Sequence, residues 1–187
     1  MGLDFDIVVL VGVLNADQML HFPDFRAPER AFQLLLQVSG RAGRKQKQGR
    51  VLIQAYRMDH PVLDEVRKSN FQAFFQRETQ ERRAYDYPPF HRLIQLQLRH
   101  KKEPIVDKAG IFFAQALKAS LGERVMGPAT PGIARIRTYY LRNILIKLSK
   151  SGEQLEFTKK LILQIQDHLR QQKGFSSVRL VVDVDPY

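Results

Sequence analysis

Two arginines and a glutamine lie close together in residues 37–44, which read Gln-Val-Ser-Gly-Arg-Ala-Gly-Arg. If this segment is helical, Gln37, Arg41 and Arg44 follow at helical spacing and share one face. Guanidinium groups are planar, permanently charged donors that suit phosphate oxygens. Gly40 and Gly43 have no side chain, so the backbone there could approach a ligand closely. The segment predicts a phosphate-binding face; the alternative is a helix ending at Gly40 with a solvated basic loop after it.

A second cluster of candidate residues mixes cations with tyrosines in the C-terminal half. Bases stack on aromatic rings and phosphates pair with cations, so the mixture is typical of a surface that binds single-stranded or forked DNA. A two-stranded sheet with solvated arginines and half-buried tyrosines explains the pattern equally well, and both interpretations stay open. The candidate DNA-binding residues are Arg135, Arg137, Tyr139, Tyr140, Arg142 and Lys147.

No metal site is predicted. The chain has no cysteine, which excludes disulfides and thiolate zinc sites. Its five histidines show no spacing typical of metal ligands. Asp183 and Asp185 look like a pair of catalytic carboxylates, but they end a predicted strand, where we expect a structural role.

The charge balance favours a polyanionic partner. The 187 residues include 30 Lys and Arg against 19 Asp and Glu, a formal net charge of +11. Such an excess favours nucleic acid or a membrane surface. Hydrophobic residues make up 44%, which excludes a disordered composition. The longest apolar run, residues 7–14, is far shorter than the ~20 residues of a membrane span, and no basic region precedes it. We therefore expect a soluble, cytoplasmic protein.

A strand–helix–strand order is predicted to position the Gln37 segment. Residues 7–14 are a β-branched run without alternation, typical of a strand buried on both faces of a parallel sheet. Pro28 opens a helix that leads into residues 37–44. Residues 50–55 then predict a second strand. Together these elements predict a βαβ unit of an α/β sheet.

Helices are predicted from Pro61 onward, with a break near Ser69. Their charged end, residues 77–83, mixes signs and is predicted to be a solvated face. Pro88 and Pro89 stop the last helix and mark the clearest boundary in the chain. The sequence therefore predicts a domain boundary between this helical segment and the C-terminal half.

The C-terminal half predicts six elements in the order β-α-β-β-α-β, so that the fold class changes from α/β to α+β at the boundary. This order is that of a split βαβ, or ferredoxin-like, sandwich. A loop is predicted over residues 127–132. The predicted elements are a strand near residues 93–98, a helix at 106–121, strands at 133–138 and 139–148, a helix at 153–172 and a strand at 178–184.

Residues 37–44 resemble motif VI of the superfamily-two helicases, Q-x-x-G-R-x-G-R. The resemblance implies that Arg41 and Arg44 are catalytic, as an arginine finger on the γ-phosphate of ATP and its support. Gln37 and Gly40 would contact the nucleotide. The sequence Gly-Leu-Asp-Phe-Asp near the start resembles motif V, which implies that Gly2 and Asp4 belong to the same nucleotide site.

An ATP site also needs a loop for the phosphates and an acidic motif for Mg²⁺. The sequence contains no G-x-x-x-x-G-K-[ST] string and no D-E-x-H string. The chain therefore carries part of an ATP site, and we expect it to be inactive alone.

Taken in order, the motifs resemble the primosomal protein N-prime family, the PriA-type replication-restart helicases of bacteria. One departure lies at Tyr139, where Tyr-Tyr-Leu-Arg-Asn stands in place of the family's aromatic-basic-aromatic-Gln run. The residues that carry the resemblance are Phe22, Phe25, Arg26, Ala27, Glu29 and Arg30, then residues 37–44, Glu81-Arg82-Arg83, Pro88-Pro89, Gly127-Pro128 and the closing Val-Asp-Val-Asp-Pro of residues 182–186.

The resemblance implies the C-terminal fragment of a 3′-to-5′ DNA helicase that restarts stalled forks and helps load the replicative helicase. Residues 1–58 would end a RecA-like motor lobe, 59–88 would form a helical linker, and 89–187 a DNA-binding domain. The intact protein would use ATP and Mg²⁺, with zinc held only in an upstream part. Its implied partners are single-stranded and forked DNA, primosome proteins and single-strand-binding proteins, with no membrane.

Two other functions stay open at this point. A stand-alone basic module could bind nucleic acid with no ATP role. A ribosome-associated protein is the third interpretation, because basic ferredoxin-like domains often bind RNA. A preference for forked DNA over structured RNA would separate this third interpretation from the first.

Overall fold

The computed structural model describes residues 9–42, 49–150 and 152–186. The chain divides into two compact units, Met1–Glu81 and Arg82–Tyr187, each with its own hydrophobic core. Both units contain helices and strands, which confirms the predicted mixed α/β architecture. The helical segment that the sequence predicts as a linker, residues 59–88, is divided between the two units.

Two short strands and four helices make up the first unit, although the last residues of its fourth helix belong to the second. The elements are β1 (Leu10–Val13), α1 (Asp17–Leu20), α2 (Ala27–Ser39), β2 (Arg50–Ile53), α3 (Pro61–Arg67) and α4 (Phe71–Ala84). β1 and β2 pair in parallel, from Leu10 opposite Arg50 to Val13 opposite Ile53. This pairing agrees with the predicted βαβ order, and the gap between α3 and α4 agrees with the predicted break near Ser69.

The core of the first unit fixes α2. The rings of Phe32 and Phe74 stack with their centroids 4.1 Å apart, and Leu35 and Val62 are buried beside them. Such burial contributes about 1.5–3 kcal/mol for each large side chain. The C-terminal end of α2, which carries Gln37, is therefore held by a packed core.

The prediction that β1 is buried on both faces is wrong for the part of the chain that the structure describes. Val9 is 61% exposed and Leu10 is 56% exposed. Among the described residues, β2 is the strand that pairs with β1, and their sheet has two strands. Few side chains are therefore available to cover the apolar residues of β1.

The charged run over residues 77–83 is less solvated than predicted. The guanidinium of Arg77 lies 2.9 Å from the carboxylate of Glu65, 3.0 Å from Glu78 and 3.4 Å from Glu81. The hydrogen bonds that Arg77 donates to Glu65 raise the pKa of Arg77 above its ordinary value, although burial opposes this. Glu78 is itself buried. These ion pairs join α3 to α4, so the prediction of a solvated face is wrong for Arg77 and Glu78, whereas Glu81 and Arg83 are exposed.

An antiparallel sheet and two long helices make up the second unit. The elements are β3 (His91–His100), α5 (Glu103–Leu121), a 3-10 turn (Gly122–Arg124), β4 (Val125–Ala129), β5 (Arg135–Ile136), β6 (Tyr139–Ser149), α6 (Gly152–Gln171) and β7 (Arg179–Val184). The strand order is β4-β6-β3-β7, every neighbouring pair is antiparallel, and the short β5 pairs with the start of β6.

Alternate residues of β3 and β6 form the floor of the second core, since successive strand residues point to opposite faces. Both α5 and α6 cover this face. The opposite face is polar at its centre, where the Gln97 amide donates to Asn143 Oδ1 at 3.1 Å. The buried residues on the helix-covered face are Ile94, Leu96, Leu98, Ile144, Ile146 and Leu148, packed against Val106, Phe113, Leu117, Ile162 and Leu169.

The strand predicted over residues 133–138 is much shorter in the structure, and a strand that the sequence does not predict lies before it. The sequence predicts a loop over residues 127–132, but β4 extends through Ala129 and pairs with β6. The pairing is irregular between Met126 and Ala129. The Gly-Pro sequence hides this strand, because both residue types are depleted in regular strands.

Candidate nucleotide and nucleic-acid sites

The C-terminal end of α2 presents Gln37 and Arg41 to solvent. The helix ends at Ser39, and the Gly40 N–H donates to the Leu36 carbonyl at 2.9 Å. Arg41 lies in the turn after the helix, where its N–H donates to the Val38 carbonyl at 3.1 Å. The single helical face predicted for the arginines therefore stops before Arg41, and the geometry agrees with the alternative of a helix that ends at Gly40.

Neither the backbone nor the packing of this chain requires a glycine at position 40. Gly40 has φ −72°, which any residue adopts. A Cβ there would lie 3.5 Å from the Leu36 carbonyl oxygen, an ordinary contact. A bare backbone beside exposed amide and guanidinium donors suits a phosphate group that comes close to the chain. Three other predicted residues of this site, Gly2, Asp4 and Arg44, lie outside the described residues.

The predicted DNA-binding residues of β6 lie on both faces of the sheet, because strand residues alternate. Tyr140 and Arg142 are on the face that α5 and α6 cover, whereas Tyr139 and Lys147 are on the other. Arg135 and Arg137 belong to the short strand β5 and the turn after it. The structure therefore does not bring the predicted residues together on a single surface.

Arg142 is buried between carboxylates of α5. Its guanidinium lies 2.9 Å from Glu103 Oε1 and 2.5 Å from Asp107 Oδ1. Burial opposes the charge, but the hydrogen bonds to Glu103 and Asp107 outweigh it and raise the pKa of Arg142 above its ordinary value. The charge of Arg142 is compensated inside the unit, which makes it a poor contact for an external phosphate.

Lys147 holds the segment that precedes β3 within the second unit. Its ammonium donates to the Tyr85 carbonyl at 2.6 Å and lies 3.9 Å from the centre of the Tyr87 ring. Burial lowers the pKa of Lys147, while the charge of Asp86 opposes that shift. The contacts of Lys147 are therefore structural in this chain.

Three of the remaining predicted residues, Arg135, Tyr139 and Tyr140, take part in two cation–π pairs near the β5–β6 turn. The Arg135 guanidinium lies 5.0 Å from the centre of the Tyr140 ring. The Arg179 guanidinium, from the start of β7, lies 5.0 Å from the centre of the Tyr139 ring. Such contacts hold a ring and a cation in a fixed arrangement. The second pair joins the predicted residue Tyr139 to Arg179, which the sequence analysis does not single out.

A basic cleft opens beside Tyr139. Its volume is about 1140 Å³, and Tyr139, His100, Ser176 and Ser177 are among the residues of its wall. No Asp or Glu is among the described residues that line it. The cations that line this cleft, called the basic cleft below, are Arg99, Lys101, Lys102, Arg137, Arg170 and Arg179.

The described part of the chain contains no group of three or more His, Cys, Asp or Glu side chains that could hold a metal ion. Within the same residues, no helix has both the length and the apolar character needed to cross a membrane.

Comparison with known proteins identifies the family. The family model described as "Primosomal protein N C-terminal domain" matches residues 83–187, more than half of the chain. The chain belongs to this family. The matched residues include nearly all of the second unit, with β3 to β7 and both of its long helices.

Relatives of this chain are named replication restart protein PriA. The relative from Bacillus subtilis is 38% identical over 100% of this chain, which spans 23% of the relative. The relative from Synechocystis is also 38% identical, over 99% of this chain and 21% of its own length. The relative from Chlamydia pneumoniae is 34% identical over 99% of this chain and 24% of its own length. The chain thus spans about a quarter of the relatives' length, and the first unit is matched together with the second.

The basic cleft contains residues that the sequence analysis does not identify as candidates. Lys101 and Lys102 come directly after β3, and Arg179 begins β7. A cation at the end of a strand is common, so in the sequence these residues only weakly indicate a binding site. Arg170 lies near the end of α6, where a cation also complements the helix dipole. Only the folded sheet brings these separate signals together.

Proposed function

We propose that this chain is the C-terminal part of an ATP-dependent DNA helicase that unwinds DNA 3′-to-5′ at stalled replication forks and helps load the replicative helicase. The observation that carries the proposal is the primosomal protein N match over residues 83–187, in one chain with the exposed Gln37 and Arg41 at the end of α2. The relatives' name, replication restart protein, supports the biological role.

In this proposal Arg41 stabilises the γ-phosphate in the transition state, Arg44 supports it, and Gln37 senses the nucleotide. The donor set fits ATP, because Gln37 is an exposed amide on the last turn of α2 and Arg41 is an exposed guanidinium in the turn that follows. When bound, ATP and Mg²⁺ would supply the phosphoryl-transfer chemistry. The sequence contains no D-E-x-H string, and the proposal places the Mg²⁺ ligands in other parts of the intact protein. The remaining nucleotide-site residues are Gly2, Asp4 and Gly40.

The element order supports the finer fold assignment. In the second unit the order β3-α5-β4-β6-α6-β7, with the sheet arranged β4-β6-β3-β7, corresponds to a split βαβ, or ferredoxin-like, sandwich. In the first unit the parallel β1 and β2, joined through α1 and α2, correspond to the end of a RecA-like lobe. Zinc would be held only in an upstream part of the intact helicase.

The partners in this proposal are single-stranded and forked DNA, together with primosome and single-strand-binding proteins in the cytoplasm. The net charge of +11 supports a nucleic-acid partner. Fork restart brings the helicase to single-stranded DNA, which is the form that an aromatic and basic surface recognises.

The test of the nucleotide role is Arg41→Ala in the intact helicase. DNA-stimulated ATP turnover should fall about 10³-fold or more, since arginine fingers have effects of that order. Nucleotide binding should change far less. Arg57→Ala is the matched control, because Arg57 is an exposed arginine of the same unit whose side chain pairs with Asp59. Turnover by Arg41→Ala within a few-fold of the control would overturn the assignment.

A second candidate function is a stand-alone nucleic-acid-binding module without an ATP role. The observation that favours it is the second unit, which has its own core and the basic cleft. The Arg41→Ala experiment separates the two functions. If this chain has no ATP role, Arg41→Ala should leave the DNA-stimulated ATP turnover of the intact protein unchanged.

A further inference from the structure

The basic cleft is built from segments that lie far apart in the sequence. Arg99 lies at the end of β3, and Lys101 and Lys102 form the turn between β3 and α5. Arg137 and Tyr139 come from the β5–β6 turn. The third side comes from residues 170–179, which run from the end of α6 into β7. Three surface connections thus converge at one end of the sheet.

Five of the six cations of the basic cleft are exposed and Arg99 is half-buried, and their surroundings differ from those of Arg77 and Arg142. Arg77 lies among three carboxylates and Arg142 between two. In the part of the chain that the structure describes, no ion pair joins a cation of the basic cleft to a carboxylate. Like charges held together repel one another, and this repulsion is relieved when an anion binds.

A buried histidine holds two walls of the basic cleft together. The Lys102 N–H donates to His100 Nδ1 at 2.9 Å, which is shorter than the 3.2 Å between Nδ1 and the Lys102 carbonyl oxygen. With Nδ1 as the acceptor, the neutral ring carries its proton on Nε2, which donates to Ser177 Oγ at 2.9 Å. The Ser177 hydroxyl hydrogen is then available to donate to an anion in the cleft.

Tyr139 gives the basic cleft an aromatic wall. The Arg179 guanidinium lies over this ring at 5.0 Å from its centre. Nucleic-acid bases stack on such rings, and planar guanidiniums stack on bases and also bind phosphates. A base inside a duplex is already stacked on its neighbours, so an aromatic wall of this kind favours an unpaired base. A peptide of acidic residues would use the cations but has no base to stack on Tyr139.

We propose that the basic cleft is a binding site for a single nucleic-acid strand, whose phosphates contact the cleft cations while a base stacks on Tyr139. The volume of about 1140 Å³ slightly exceeds the ~300–1,000 Å³ of ordinary small-ligand pockets, which suits a short stretch of one strand. The proposal rests on the proposed function only in taking DNA as the polyanion. It assigns the site to this cleft and gives no direct contact to Arg142 or Lys147.

The test is a fluorescence-anisotropy titration of the 187-residue chain with a labelled oligothymidine at two salt concentrations. Lys101→Gln with Arg170→Gln removes two exposed cleft cations. This double variant should weaken binding at least tenfold at low salt and reduce the salt slope by about 1.4, or ~0.7 for each lost phosphate contact. Tyr139→Leu should weaken binding about tenfold and leave the slope unchanged, because stacking releases no counterions.

The matched control is Lys159→Gln with Lys160→Gln, which removes the same charge from exposed positions in the middle of α6. An equal loss in this control and in the cleft variant would overturn the proposal in favour of diffuse attraction. Tight binding of a blunt duplex, with Tyr139→Leu unaffected, would also overturn it. Displacement of the strand by a polyglutamate peptide at equal charge would assign the cleft to an acidic protein segment instead.

Folding is checked by circular dichroism of each variant, and Arg179→Gln provides a second exposed position if either member of the double variant unfolds the chain.

The outcome of the strand-binding test is independent of the nucleotide role of Arg41. Normal strand binding by the cleft variants, alongside loss of turnover in Arg41→Ala, would reject the cleft and retain the helicase. Weakened strand binding by the cleft variants, together with normal turnover in Arg41→Ala, would retain the cleft and reject the nucleotide role of Arg41.

Discussion

The neighbours of each arginine decide whether its charge is available to a ligand. Arg142 donates to Glu103 and Asp107, and Arg77 lies among three carboxylates. Arg41 and Arg170 are instead exposed. Residue type and spacing alone do not distinguish these two groups, because the carboxylates of Arg142 come from a helix that lies far from it in the sequence.

The first prediction concerns Arg142. We expect Arg142→Gln to lower the free energy of unfolding by about 1–3 kcal/mol, since hydrogen bonds to charged groups are lost from a buried position. Strand binding by the folded variant should stay within about twofold of the parent chain. Urea unfolding followed by circular dichroism measures the first quantity, and Arg170→Gln is the exposed control. A large loss of binding without loss of stability would contradict the structural role.

The second prediction concerns His60, whose ring caps α3. Its Nδ1 accepts a hydrogen bond from the Val62 N–H at 3.3 Å. Burial lowers the pKa of His60 below 6.5, and the charge of Arg77 acts in the same direction. The unfolded chain therefore binds a proton more readily than the folded chain. The contribution of His60 to stability is present above pH 6.5 and is lost as the pH falls through the lowered pKa.

The measurement for His60 is the free energy of unfolding of His60→Asn between about pH 7 and pH 5. Asparagine is a good N-cap and does not titrate in this range, so the variant should lose less stability on acidification than the parent chain. His168→Asn is the control at an exposed histidine. Parallel pH profiles for His60→Asn and the parent chain would contradict this account.

At the scale of the elements, helices and strands with a strong hydrophobic periodicity are predicted well, whereas a strand with irregular backbone is missed. The boundaries of α5, α6, β3 and β7 agree with the sequence pattern to within a few residues. β4 is missed because its Gly127 and Pro128 indicate a loop. In the structure Gly127 has φ 104°, and the backbone at this irregular position passes close to β6.

The third prediction tests this close approach. A Cβ at Gly127 would lie 2.7 Å from the Asn143 carbonyl oxygen of β6, and φ 104° disfavours any other residue. We expect Gly127→Ala to destabilise the second unit by about 1–3 kcal/mol. Gly132→Ala is the matched control, since no atom lies within 4 Å of its Cβ position. Equal melting temperatures for the two variants would contradict the assignment.

The end of α2 shows a different limit of prediction. The motif in residues 37–44 indicates a nucleotide site through a resemblance, whereas the expected shared helical face ends at Ser39. A helix that stops before Arg41 leaves this side chain in a turn, where its direction is not fixed by helical spacing. Sequence therefore locates the candidate residues but not their geometry.

At the scale of the whole molecule, the sequence is sufficient for the family and insufficient for the basic cleft. The ordered motifs along the chain resemble one family, and the match over residues 83–187 confirms it. The cleft unites the end of β3, the β5–β6 turn and residues 170–179. No periodic pattern links these segments, because their proximity results from the strand order of the sheet.

The last prediction concerns what the chain does by itself. An allosteric effect of ATP on DNA binding needs both sites in one molecule, and the coupling is reciprocal. The 187-residue sequence contains no phosphate-binding G-x-x-x-x-G-K-[ST] string, although it carries Arg41. We therefore expect single-strand affinity to be the same with and without ATP and Mg²⁺, and we expect no ATP turnover above that of buffer.

Fluorescence anisotropy measures the single-strand affinity, and a phosphate-release assay measures the ATP turnover. Arg41→Ala is the control, and it should match the parent chain in both assays. DNA-stimulated turnover that is present in the parent chain and absent from Arg41→Ala would show that this chain holds a complete ATP site.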